Sequence, residues 1–162
     1  MNEPTPEEKI KFLIKKSEAI CARNELCEFD VIQKLTAWKS TGSEVDQVLA
    51  HLREEGYVDN LRYAQAYAKG KNHQLKWGRT KIAYQLKMKR IDQNTIDQAL
   101  WLINEEEYLE QLAQIAAQKW RTIHEEDEHE RTGKLTMYLQ SKGYELYAIK
   151  KAIARVTEQS GE

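Results

Sequence analysis

Proline is nearly absent from this chain of 162 residues: there are two, Pro4 and Pro6, and both lie before residue 7. Nothing beyond that point carries the residue that most strongly breaks a helix. Cysteine is equally scarce. Cys21 and Cys27 are too few for a disulfide-stapled secreted scaffold, and they fit buried or half-buried thiols in a reducing cytoplasm. No apolar run approaches the roughly 20 residues that span a bilayer. Met1-Asn2-Glu3-Pro4 lacks the basic and apolar stretches of a secretory signal. Net charge is small too: 25 Lys and Arg against 26 Asp and Glu leave −1, so no overall field draws the chain to nucleic acid or to a membrane. Catalytic signatures are missing. There is no Gly-rich phosphate loop and no Gly-x-Ser-x-Gly elbow. His124-Glu125-Glu126-Asp127-Glu128-His129 resembles metal ligands, but histidines at i and i+5 share a helix face poorly, so it reads as a solvated charge run. The expectation is a chain that binds rather than catalyses, with no cofactor and no metal.

What is present is helix. Thr5-Pro6-Glu7-Glu8 is a capping box with proline at the first helical position, and Ile10, Leu13, Ile14 and Ser17 follow at helical spacing. Ser43-Glu44-Val45-Asp46 and Asn104-Glu105-Glu106-Glu107 look like further starts, and Asp59 can cap a helix carrying Tyr63, Ala64 and Tyr67. Gly42, Gly56, Gly78, Gly133 and Gly143 fall where helix stops are expected. No stretch alternates with period two long enough to make a strand.

An internal repeat organises these helices. Val31, Leu35, Val45, Val48, Leu49 and Leu52 have spacings of 4, 10, 3, 1 and 3. Ile82, Leu86, Ile96, Ala99, Leu100 and Ile103 repeat them, as do Leu135, Leu139, Ile149, Ala152, Ile153 and Val156. Two helices joined by a short turn produce this pattern. A weaker apolar position 18 residues earlier, at Leu13, Ala64 and Ala117, places a leading helix in each copy. The expected fold is therefore all-α: three tandem three-helix, helix-turn-helix-like units over 7–56, 57–104 and 105–157, with tails at 1–6 and 158–162. A unit of this size makes a marginal core alone, so the copies stack into an elongated, curved body, expected to be monomeric.

Charge is segregated by unit. From Asn60 to Ile91 there is no acid, while nine basic residues are interleaved with Tyr63, Tyr67, Trp77 and Tyr84. From Asn104 to Glu130 nine acids face two bases. The middle unit is thus a basic plate suited to phosphates or to an acidic protein face. Lys69, Lys71, Lys76, Arg79 and Lys81 are its foremost candidates for partner or DNA contact, with Arg62, Lys87 and Arg90 behind them and Trp77 at a helix junction. The alternatives are a solvated face docked on the acidic segment and, for Arg62, pairing within its own turn. Tyr63, Tyr67 and Tyr84 are expected to pack in or at the edge of the core.

Glu54-Glu55-Gly56-Tyr57-Val58-Asp59-Asn60-Leu61-Arg62-Tyr63-Ala64 resembles the signature of the RecX regulatory proteins, loosely Glu-x-Gly-Tyr-aliphatic-Asp-x-x-Arg-aromatic-Ala. Gly78-Arg79-Thr80-Lys81-Ile82 with Leu86 is similar to the family's second block, Cys27 to Leu35 to its first, and Lys134 to Tyr144 to its third. Cys27 stands where a capping Ser is usual, Asp30 where Glu is usual, and Arg90-Ile91 where the family has a Gly-aliphatic pair. The resemblance implies a partner, the RecA recombinase as its filament on single-stranded DNA, whose strand exchange, ATPase and coprotease activities such proteins inhibit in the cytoplasm; the basic plate is then the candidate for contact with the filament's DNA or with an acidic RecA surface. The competing reading is a module of tandem helix-turn-helix units that binds DNA without RecA.

Overall fold

The computed structural model describes residues 2–161. Among them all regular structure is helical. The first unit holds α1 (Pro6–Arg23), α2 (Glu28–Ala37) and α3 (Gly42–Glu54). The second holds α4 (Asn60–Gln74), α5 (Arg79–Met88) and α6 (Gln93–Trp101). The third holds α7 (Glu105–Thr122), α8 (Glu128–Ser141) and α9 (Leu146–Ser160). In each, the leading helix packs chiefly on the last; the middle helix packs on both in the second and third units, and in the first α2 packs on α3. Three such units in tandem make an all-α, elongated body.

The caps explain the starts. Thr5 accepts from the Glu8 N–H and Glu8 returns a bond to the Thr5 N–H, the reciprocal box that the sequence predicts. Asp59 and Asn104 accept from the N–H groups of Arg62 and Glu107. The α3 start is displaced: Thr41 caps it with Glu44, so Ser43 lies inside the helix. Three glycines expected as stops are corrected. Gly42 opens α3, Gly78 is the N-cap of α5, and Gly133 sits exposed within α8. A glycine inside a helix costs about 1 kcal/mol, which the fully buried Leu135 and Leu139 of the same helix offset. Gly56 and Gly143 do end helices, at φ +75° and +93°.

The repeated apolar positions form three cores, one per unit, centred on Val31, Leu35, Val48 and Leu52, on Ile82, Leu86 and Ile96, and on Leu135, Leu139 and Ile149. In the leading helices Leu13 and Ala64 are buried as expected, whereas in α7 Ala116 is fully buried and Ala117 half-buried beside it. The turn after each middle helix repeats as well. Lys39, Arg90 and Gly143 all take positive φ, at 59°, 56° and 93°. The backbone path demands a left-handed residue there whichever side chain is supplied. Arg90 takes the conformation in the second unit that Gly143 takes in the third, and its guanidinium lies over the Phe29 ring of the first unit, 5.2 Å from the centroid.

Candidate functional site: the second unit and its joint with the third

Apart from Lys89, which pairs with Asp30 of the first unit, the basic plate separates into three groups. Lys69, Lys76 and Lys87 are exposed and pair with no acid among the described residues. Lys71 and Lys81 flank Trp77, their Nζ atoms 5.3 and 4.6 Å from its ring centroid. Trp77 is half-buried against the second core, so its indole supports a pair of cations rather than standing free. The remaining arginines are engaged. Arg62 binds Glu25 at 2.9 Å and the carbonyls of Gly56 and Tyr57, which ties the signature turn to the end of α1. Arg90 holds the Phe29 stack. Tyr63 and Tyr67 stack on one another and pack on the second core, as expected. Tyr84 is a correction. It is 61% exposed, because it falls two residues past Ile82 on the opposite face of α5.

Arg79 holds the joint between the second and third units. Its guanidinium lies 3.9 Å from the Tyr108 ring centroid and binds Glu145 at 2.9 Å and Glu105 at 2.6 Å. Burial opposes its charge, but the bonds from Glu145 and Glu105 outweigh it and raise its pKa. Beneath it, Tyr108 accepts from the Arg79 N–H and donates to Glu145. Burial first, then that carboxylate, pushes the Tyr108 phenol far up. The docking of plate on acidic segment is thus realised at this residue.

The backbone is interlocked at the same place. α5 starts on a glycine that has no side chain to cap it. Its free donors go to the third unit instead: Gly78 N–H to the Lys142 carbonyl at 2.7 Å, and Thr80 N–H to the Gly143 carbonyl at 2.9 Å. Tyr144 donates to the Lys76 carbonyl at 2.8 Å, and Lys142 to the Leu75 carbonyl at 3.1 Å. The first joint has the same layout with different chemistry. Asn60 accepts from the Glu28 N–H and donates to the Glu28 carboxylate, while Lys89 reaches Asp30 at 2.5 Å. Cys27, the N-cap of α2, is buried in the second unit's core, and burial pushes its thiol up to about 11.

The joint sets a pH dependence. Hydrogen bonds from Tyr147, then Arg79, hold the Glu105 carboxyl below its usual value of 4.5. The folded state therefore binds this proton less readily than the unfolded one. The resulting stability is fully present above pH 4.5 and is lost as pH falls through the folded value. Thermal melts of the wild type and of Glu105→Gln should accordingly converge as pH is lowered from about 6 toward about 3.

Between α4 and α7 lies an open groove of about 1400 Å³. Lys69, His73 and Lys76 line one wall, Glu106, Glu107 and Glu110 the other, and Leu102 and Ile103 the floor. Among the described residues no ion pair crosses it; Gln111 bridges to the Asn72 carbonyl at 3.2 Å. His124 and His129 are exposed beyond the far end of α7, and no group of three His, Cys, Asp or Glu among the described residues is placed to hold a metal. No helix there is long and apolar enough to cross a membrane.

Comparison with known proteins bears on this arrangement. The family model of the RecX second three-helix domain matches residues 59–100, and that of the RecX third three-helix domain matches 105–153. The regulatory protein RecX of Clostridium acetobutylicum is 28% identical over 159 residues, covering 94% of this chain and 73% of that one. The RecX of Clostridium tetani is 28% identical, covering 83% of this chain and 62% of its own length, and that of Acinetobacter baylyi is 28% identical, covering 87% and 86%. The crystal structure of RecX from Lactobacillus salivarius superposes with a TM-score of 0.85 at 18% identity, covering 91% of this chain and 96% of that one, which is a likeness of fold. The matched models meet the chain at the two units whose joint Arg79, Gly78 and Gly143 hold together, and on that ground the chain belongs to the RecX family of regulatory proteins.

Proposed function

We propose that this protein acts in the cytoplasm on the RecA recombinase, binding its filament on single-stranded DNA and inhibiting recombinase, ATPase and coprotease activities. Membership of the RecX family carries this reading. The elongated body of three units supports it, because several weak contacts on one rigid body raise one another's effective concentration on a repetitive partner. Such a body shifts the filament between geometries only by its differential affinity for them. In this reading Lys69, Lys76 and Lys87, with the Lys71–Trp77–Lys81 cluster, meet the partner or its DNA. Arg62, Arg79 and Arg90 contribute through the turns and joints they hold.

The test is RecA ATP hydrolysis on single-stranded DNA with this protein titrated in, using RecA from the same organism at physiological salt. Inhibition at well below one copy per RecA is the expected result. No inhibition, together with tight binding to naked DNA, would establish the helix-turn-helix DNA-binding module in its place.

A further inference from the structure

The groove between α4 and α7 is where the plate meets the acidic unit, and its composition argues against a nucleic-acid channel. A polyanion lying along Lys69 and Lys76 also faces Glu106 and Glu107, and like charges at close range repel. Neither wall is neutralised from within. Lys69, Lys76, Glu106 and Glu107 have no ion pair among the described residues, although the two rows line one groove. Both rows are therefore available to a ligand carrying both signs of charge.

The apolar surface at this groove points the same way. Leu102 on its floor is 64% exposed, and the adjoining Trp101 is 86% exposed. Trp101 has no counterpart in the other two units, where Ala50 and Ala154 occupy the corresponding places on α3 and α9. An exposed leucine between opposed charge rows, with an isolated exposed tryptophan next to it in sequence but outside the groove lining, has the make-up of a protein–protein anchor: an apolar centre with a charged rim.

We infer that this groove is the docking site for an ampholytic polypeptide segment of the partner protein. Its acids lie along Lys69 and Lys76, its bases along Glu106 and Glu107, and its apolar side chains on Trp101 and Leu102. The inference rests on the proposed action on RecA and names the surface through which that partner, rather than its DNA, is held. The Lys87 and Tyr84 side of α5 belongs to neither wall of the groove and plays no part in it, whereas Trp101 directly precedes the groove-lining Leu102.

Three variants test this in the ATPase titration, each with a thermal melt to establish folding and a parallel titration of naked single-stranded oligonucleotide. The double variant Trp101→Ala, Leu102→Ser should raise the half-inhibiting concentration about tenfold or more. Lys69→Glu with Lys76→Glu should raise it as well. Glu106→Lys with Glu107→Lys is the discriminating case. A polypeptide ligand predicts weaker inhibition, whereas a polyanion predicts stronger inhibition and tighter oligonucleotide binding. Strengthening in the last variant, or unchanged inhibition by the Trp101 and Leu102 variant, overturns the inference while the action on RecA stands. A wild-type chain inert toward RecA removes both.

Discussion

Gly78→Ala is expected to cost about 3 kcal/mol, which for a chain of this size lowers the thermal midpoint by about 10 °C. The reason is space, not backbone freedom. A methyl group at position 78 would sit 2.3 Å from the carbonyl carbon and oxygen of Gly143 and 2.5 Å from the Tyr144 nitrogen. All three are main-chain atoms, which cannot rotate away as a side chain could. The α8–α9 turn must retreat, and it then releases the bonds that satisfy the first donors of α5. Gly133→Ala is the control. Nothing lies within 4 Å of a methyl group there, and the position is inside α8. Alanine should therefore stabilise by about 1 kcal/mol. The two melts, run side by side, should move in opposite directions from the wild type. A Gly78→Ala midpoint within a degree or two of the wild type would mean that the joint is looser than the distances imply.

Arg79→Lys has the second largest expected effect, about 2 kcal/mol, although it preserves charge. Lysine offers a single point charge where Arg79 divides two nitrogens between Glu145 and Glu105 and lays its flat face on Tyr108. The full cost of breaking a buried pair is not expected, because Glu105 is half-exposed and screened by water. Double-mutant cycles by chemical denaturation separate the contributions. Coupling of Arg79 to Glu145 should exceed its coupling to Glu105, following their side-chain exposures of 25% and 52%. Equal and negligible couplings would show that the stack on Tyr108, not the ion pairs, holds the residue.

These two residues also mark where the sequence stops being readable. Within a unit the signals are local and were legible. Caps at Thr5, Asp59 and Asn104 act over three residues, and the repeated apolar spacing spans a helix pair. The family signature placed the turn at Gly56, and the structure shows why Arg62 belongs to it. Between units the signals are not local. Arg79 meets Glu145 across 66 residues, and only the rotation of one unit against the next decides which cation of the plate finds which acid. Charge segregation therefore exposed the plate but could not sort its engaged arginines from its free lysines. Gly78 looked like a helix stop because it lies between two periodic segments. Its true role, the start of α5 pressed against another glycine, depends on a contact with the third unit. Residue type alone puts Tyr84 in the core or at its edge, whereas its spacing from Ile82 puts it on the other face of α5.

The borrowed caps have a consequence for the order in which the chain is made. Synthesis runs from residue 1 onward, yet Gly78 and Thr80 wait for carbonyls at 142 and 143. Cys27 likewise waits for Ile82 and Leu86 before it is enclosed. The start of α5 thus leaves the ribosome without the partners of its first donors, which arrive only when the third unit has been translated. In the third unit, by contrast, α8 carries its own cap at Asp127. The joint between the second and third units is consequently closed by the part of the chain made later, against the direction of synthesis.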